Sequence, residues 1–207
     1  IPLRLVGSEM CIRDSIWTGY EIITMWAFAN DLIPFLDWAS NPIWFVILFL
    51  GIPLFRDAHF YIVHRILHNR FLYKHVHALH HKNVDIGPWS GLAMHPFEHL
   101  LYFSGILVHW VVLSHPIHAI LHVQATGLTP ALGHLGFDKY LLAGDKPLTL
   151  GQRYFHYLHH KYFECNYGGD GTVPMDKWFN SFHDGSEESN QLIICLLYTS
   201  PSPRDVE

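Results

Sequence analysis

Ile43-Trp-Phe-Val-Ile-Leu-Phe-Leu-Gly-Ile-Pro-Leu-Phe55 runs directly into Arg56-Asp-Ala-His-Phe-Tyr-Ile-Val-His64-Arg-Ile-Leu-His68. The first half is apolar and the second carries cations and imidazoles, and one helix can continue from Ile43 through Ile62. Three further apolar stretches accompany it. One covers about 16–33, interrupted by Glu21 and closed by Asn30-Asp31 and Pro34; the others cover about 100–113 and 116–135. Ser114-His115-Pro116 between the last two reads as a tight helical connection. None of the four is an unbroken run of the roughly 20 apolar residues that the hydrocarbon core requires. His109, His118 and His122 dilute the second pair, so four buried helices of a soluble bundle form the competing architecture.

The placement of charge favours the membrane. Away from the two ends, every Lys and Arg lies in one of two blocks: Arg56, Arg65, Arg70, Lys74 and Lys82, then Lys139, Lys146, Arg153, Lys161 and Lys177. The interval from Asn83 to Asp138 has no cation, and neither does the link from Pro34 to Pro42. Two helical hairpins entering a bilayer from one side produce this pattern, with both basic blocks cytoplasmic by the positive-inside tendency. A soluble bundle spreads its cations around its surface. The expected fold is therefore all-α: an integral-membrane helical bundle with two transmembrane hairpins, about 16–62 and 99–135, and a cytoplasmic histidine-rich helical cap from regions 56–98 and 134–185.

The ends are set aside. The runs Val6-Gly-Ser-Glu-Met-Cys-Ile-Arg-Asp14 and Cys195-Leu-Leu-Tyr-Thr-Ser-Pro-Ser-Pro-Arg-Asp205 resemble translated sequencing adapter, so 1–15 and 192–207 are read as non-native and 16–191 as one domain. Cys11 and Cys195 go with them, and the remaining Cys165 makes neither a disulfide framework nor a thiolate metal site. Any metal must be held by histidine or carboxylate. With a formal charge of −5 and no basic face, nucleic acid is not an expected partner. Histidine is the abnormal residue, 18 against 13 Lys plus Arg. Its chemical uses are proton transfer and metal ligation.

Three short motifs concentrate it: His64-Arg-Ile-Leu-His68 (HxxxH), His77-Ala-Leu-His80-His81 (HxxHH) and His156-Tyr-Leu-His159-His160 (HxxHH). On a helix, positions i, i+3 and i+4 share a face, so each motif groups its imidazoles as a metal site needs. A straight helix through His64 and His77 turns the first two groups apart. A bend near Asn69-Arg70-Phe71 is expected to bring them together. Eight imidazoles are too many for one ion of common geometry and suit two. Imidazole serves Fe, Zn, Cu and Ni alike, so residue type does not name the metal.

These motifs, in this order and straddling a helical hairpin, resemble the fatty acid hydroxylase superfamily and its sterol desaturase branch. Asp57-Ala-His-Phe-Tyr61 before His64-Arg65 is similar to the family's approach to its first motif. Met94-His95-Pro96-Phe97-Glu98 resembles its His-Pro-x-Glu element, and Gly133-His134-Leu135-Gly136 its Gly-His element. Asn166-Tyr167-Gly168 and Asp176-Lys177-Trp178-Phe179 match the segment after the last motif. The resemblance implies a membrane oxidoreductase holding two iron ions and using O2 as co-substrate to hydroxylate or desaturate a sterol or fatty acyl lipid drawn from the bilayer. It implies His64, His68, His77, His80, His81, His156, His159 and His160 as ligands, His134 as a ninth, and His95 as either a tenth or a structural residue. Glu98 and Asp57 either orient ligand imidazoles or sit as ordinary carboxylates. The remaining histidines, among them His59, His75, His99, His109, His115, His118, His122 and His183, are read as structural, interfacial or neighbouring.

No GxGxxG fingerprint or cluster-binding cysteine set is present, so electrons are expected from a separate donor such as cytochrome b5 with an NAD(P)H reductase. The expected location is the endoplasmic reticulum of a eukaryote or the inner membrane of a bacterium, with the histidine clusters cytoplasmic. Two other classes compete: a membrane metal transporter or metal-binding protein, which requires ionisable residues through the bilayer midplane, and a bis-histidine haem protein using His109 and His122.

Overall fold

The computed structural model describes residues 3–84, 86–135, 139–142, 146–150, 152–169 and 172–191. Four long segments build the body: α1 (Leu3–Ala29), α2 (Pro42–Leu67), α5 (Pro96–Phe103) continued by a 3-10 run (Ser104–Trp110), and α6 (Pro116–Gly133). Between α2 and α5 lie α3 (Arg70–Leu72), a π turn (Tyr73–His77) and α4 (Ala78–His81); α7 (Gln152–Tyr162) and α8 (Met175–Trp178) close the described chain.

Local chemistry sets the helix starts. α2, α5 and α6 each begin on a proline, whose fixed φ suits the first turn and whose missing N–H costs nothing there. His95 and His115 stand before two of those prolines, and each ring Nδ1 accepts a backbone N–H of the first turn. α2 stops where the bend was expected. Asn69 leaves helical geometry at φ −59 and ψ 136, and its side chain caps the next helix by accepting from Phe71 N.

α1 and α2 both pack against α5 and α6. The main core joins Ala27, Phe28 and Ile33 to Phe103, Ile106, Ala119 and Val123, with Trp17 and Tyr20 stacked on Phe103 at 5.9 and 6.4 Å. A second core of Val63, Leu67, Val76, Met94 and Tyr102 underlies the histidine-rich end. The links 30–41 and 111–115 meet at the opposite end: Leu36 N donates to Ser114 O and Trp44 Nε1 to Leu113 O, each at 2.9 Å. From Trp44 to His64, α2 rises about 30 Å at roughly 1.5 Å per residue, close to a hydrocarbon thickness.

The all-α class holds, with one two-stranded addition. β1 (Lys139–Leu142) and β2 (Lys146–Leu150) form an antiparallel ribbon, with an irregularity between Tyr140 and Leu141. Two short Leu/Tyr/Thr-containing runs around Gly144-Asp145 are a hairpin signal, passed over because helical periodicity dominates the rest of the chain. The closing segment 192–207 lies outside the described residues.

Gly127 in α6 faces the Trp17 ring so closely that an added Cβ collides with it. Gly127→Ala is expected to overpack the α1–α6 contact at a cost of about 1–3 kcal/mol, read as a lower midpoint in thermal unfolding of the detergent-solubilised chain.

Candidate metal centre

Five segments deliver nine buried imidazoles to one interior. His64 and His68 come from the end of α2, His77 from the π turn, and His80 and His81 from α4. His134 follows α6, and His156, His159 and His160 lie on α7. They resolve into two groups: His64, His68, His77, His81 and His159; and His80, His134, His156 and His160. In each group the ligand atoms lie within 4.8 Å of one another. Each HxxHH motif is divided between the groups. The residues four apart stay together, His77 with His81 and His156 with His160, while His80 and His159 cross to the other group. Nothing in the linear spacing assigned that division. The π turn carries an extra residue per turn immediately before His77, and so sets the rotation at which the second motif meets the first.

In both groups it is Nε2 that converges. His64 and His77 approach at 3.1 Å, His77 and His81 at 2.9 Å, His68 and His159 at 3.1 Å, and His81 and His159 at 3.2 Å. In the second group, His134 stands 3.3, 3.1 and 3.1 Å from His80, His160 and His156. For five of the rings the other nitrogen decides the tautomer, and where two such rings meet, as His64 with His77 and His80 with His134, the contact is not an ordinary hydrogen bond. His64 Nδ1–H donates to Tyr167 O and His159 Nδ1–H to Cys165 O, both at 2.6 Å. His134 Nδ1–H donates to Pro130 O at 2.7 Å, His80 to Ala93 O at 3.3 Å, and His77 to Glu98 Oε1 at 2.9 Å. A ring that spends its proton on Nδ1 presents a bare lone pair at Nε2. Lone pairs meeting at 3 Å in a dry interior repel unless positive charge lies between them. Two nitrogens each about 2.1 Å from a shared ion and at right angles stand about 3.0 Å apart, which is the spacing found. The donor set fits two imidazole-ligated transition-metal ions.

The surrounding chain fixes those donors. Glu98, fully buried in the first turn of α5, orients His77 as a carboxylate behind a ligand does. Asp176 accepts from Tyr167 N, Gly168 N and Ser181 Oγ at 2.9, 2.7 and 2.7 Å, and so shapes the loop whose Tyr167 carbonyl holds His64. His68, His81 and His160 have buried Nδ1 atoms with no partner among the described residues.

Nine of the ten sequence-derived ligand candidates come together. His95 does not: it caps α5 and is only half-buried. Asp57 points elsewhere, its Oδ2 accepting from Thr172 N and Oγ1 at 2.6 and 2.7 Å and its Oδ1 facing Arg56 at 3.2 Å. His109 and His122 are hydrogen-bonded directly to each other, which leaves no space for a porphyrin between them. The backbone carbonyls that fix the ligand tautomers were beyond sequence reading, since any residue supplies one; Asp176 was visible only as part of a matching segment.

A partly open cleft lies against the imidazoles. His64, His80, His134 and His156 form one wall, Phe60, Met94, Tyr102 and Pro130 give apolar lining, and Arg56, Asp57, Thr126 and Thr129 a polar edge. Arg56 Nη1 donates to Thr129 Oγ1 at 2.7 Å. Burial disfavours the imidazolium form throughout, holding His77 down at about 3 and pushing His80, His81, His156, His159 and His160 well below the usual histidine value.

A family profile described as fatty acid hydroxylase matches residues 48–181. The chain is 30% identical to a Delta(7)-sterol 5(6)-desaturase of Gibberella zeae, over 65% of this chain and 42% of that protein. It is 31% identical to methylsterol monooxygenase 1 of Gallus gallus, over 68% of this chain and 48% of that one. The Danio rerio methylsterol monooxygenase 1 is 30% identical over 90% of this chain and 62% of its own length. The chain thus spans about half the length of the curated relatives it matches. No solved structure matches it significantly.

Two outcomes follow. Glu98→Gln is expected to weaken metal binding by about 10–100-fold, measured by competition with a chelator, whereas His95→Ala leaves metal content unchanged. A histidine whose folded value is depressed contributes stability that is present above 6.5 and lost as pH falls toward about 3. The unfolding midpoint of metal-free protein should therefore drop steadily below pH 6.5, which a thermal scan against pH detects.

Proposed function

The chain belongs to the fatty acid hydroxylase family, and from that premise we propose that it is a membrane-embedded, histidine-ligated two-iron oxidoreductase. It uses O2 to hydroxylate or desaturate a lipid, either a sterol or a fatty acyl chain. The observation that carries this reading is the convergence of nine imidazole Nε2 atoms into groups of five and four, five of them bare because their ring proton is held at Nδ1. Iron fits these donors, and when bound it supplies the reduction of O2 and the oxidation of an unactivated C–H bond. His64, His68, His77, His81 and His159 hold one ion; His80, His134, His156 and His160 hold the other.

The protein's own contribution is placement. The carbonyls of Tyr167, Cys165, Pro130 and Ala93, with Glu98, keep five of the nine rings in the tautomer that leaves Nε2 free for metal. Phe60, Met94 and Tyr102 line the cleft with apolar surface that excludes water and receives a hydrocarbon skeleton. Arg56, Thr126 and Thr129 give its edge a polar end, which sets which part of the lipid faces the imidazole wall. Hydroxylation and desaturation differ in which second bond that placement exposes.

The bilayer setting is supported by α2, whose 26 residues include a window of mean hydropathy 1.6. Ile43, Val46, Ile47, Leu50, Leu54, Ile62 and Ile66 are exposed along it, a large apolar surface for water to cover. Both basic blocks flank the histidine motifs, which supports a cytoplasmic position for the metal end. Electrons reach it from a separate donor such as cytochrome b5 with an NAD(P)H reductase.

The test is turnover under ¹⁸O₂ by membranes containing the iron-loaded chain, the donor, and either sterols or acyl lipids. A hydroxylase puts one labelled oxygen into its product, and a desaturase removes two hydrogens and labels only water. Loss of product in His80→Ala is expected. No O2-dependent change in either lipid class by iron-loaded protein would remove the proposal.

A further inference from the structure

The cleft reaches the two histidine groups unequally. His80, His134 and His156, three of the four in one group, line it, but only His64 of the five in the other. The remaining ligands of the five-histidine group back onto the segment 69–84. The inward residues of that segment, Tyr73, Val76, His77, His80 and His81, are buried; Arg70, Phe71, Lys74, His75 and Lys82 are exposed. Tyr73 stands against three ligands of the five-histidine group at once, its ring centroid 5.5 Å from His68, 6.1 Å from His77 and 5.7 Å from His81. Lys74, the next residue, is exposed. A single helical layer, about 10–12 Å across with its side chains, therefore separates this group from the surface.

The outer side of that layer carries charge that nothing in the fold uses. Arg70, Lys74 and Lys82 make no ion pair among the described residues. The stretch 69–84 contains no Asp or Glu, and Asp85, the next acid in the chain, lies outside the described residues. Phe71 is 68% exposed, with the His75 ring 4.8 Å away. An exposed aromatic pair accompanied by unpaired cations has the make-up of a protein interface, an apolar centre with a charged rim. Rim cations steer an acidic partner and fix its orientation.

We propose that Arg70, Phe71, Lys74, His75 and Lys82 form the docking face for the electron donor, a one-electron haem protein with an acidic surface. Electrons then enter at the five-histidine group, while lipid in the cleft meets chiefly the four-histidine group. This assignment rests on the oxygenase reading above, which requires two electrons from outside the chain. Each encounter oxidises the donor's haem iron by one electron and reduces one iron of the centre by one, with no bond made or broken, so two encounters supply the pair. Anionic lipid headgroups also attract cations. They bind equally well anywhere along a membrane rim, however, whereas these cations lie one helical layer from His77 and His81, which favours a redox partner.

The test reads binding, not turnover. The full chain, loaded with zinc and placed in phosphatidylcholine nanodiscs, is titrated calorimetrically with the soluble haem domain of cytochrome b5. Lys74→Glu is expected to weaken binding by about fivefold or more. Lys177→Glu, the same change of charge on α8, should alter it by less than about twofold. Phe71→Ser should weaken binding about fivefold without changing its salt dependence, since no charge is lost. Zinc content, unchanged in all three variants, shows that the centre is intact. With iron-loaded protein, reduction by the prereduced haem domain should slow in Lys74→Glu by the factor seen in binding, and reduction by dithionite should not. No binding to the unsubstituted chain, or equal effects of Lys74→Glu and Lys177→Glu, overturns the face. Unchanged haem-domain affinity in Lys74→Glu, with loss of phosphatidylserine bound from mixed nanodiscs, also overturns it and gives the cations to headgroups. The oxygenase reading is judged apart, by ¹⁸O₂ turnover with a small-molecule reductant that needs no docking.

Discussion

Nine buried imidazoles meet at Nε2, and the five whose proton is held at Nδ1 bring bare lone pairs together, an arrangement that positive charge between them relieves. Burial resists protonating them, so the charge cannot come from imidazolium without a large desolvation cost. Backbone carbonyls and Glu98 hold five of the nine Nδ1 protons, so it cannot come from a network of N–H bonds among those rings either. The fit to a cation is thus set by five tautomers, and those depend on Glu98 and on the segments that present the carbonyls.

The rest of the fold reads as support for that condition. The break at Asn69 turns the chain back so that His64 and His68 meet His77 and His81. The π turn that ends on His77 and the division of both HxxHH motifs give each group donors from more than one helix. Loop 166–168, ordered by Asp176, is as much part of the centre as the ligands, because without Tyr167 O the His64 ring has no fixed orientation. The long apolar surface of α2 and the cleft lined by Phe60, Met94 and Tyr102 then set what the centre can meet: hydrocarbon at one edge, and a small polar group near Arg56 and Thr129.

Much of this was legible in the sequence because histidine spacing is a strong signal. The three motifs and the bend near 69–71 were readable from residue type and order, His134 came from the family resemblance, and Glu98 stood only as one of two candidate orienting carboxylates beside Asp57. His95 was not separable from a ligand, since a histidine before proline serves equally as a cap, and only the direction of its ring distinguishes the two. Asp57 failed as an orienting carboxylate because it is drawn to Thr172, more than a hundred positions away and invisible to local pattern. The ribbon at 139–150 went unread because its strands are short and its residues fit no amphipathic period. The crossing of His80 and His159 between groups depends on helix rotation set by the π turn, which spacing cannot supply.

The central claim is that two ions are held by separate histidine groups. It is tested most directly by elemental mass spectrometry of the purified chain beside two variants, His68→Ala with His159→Ala in one and His134→Ala with His156→Ala in the other. The account predicts about two irons per chain in the unsubstituted protein and about one in each variant. One ion per chain at saturation, or a content unchanged by either pair of substitutions, would contradict it.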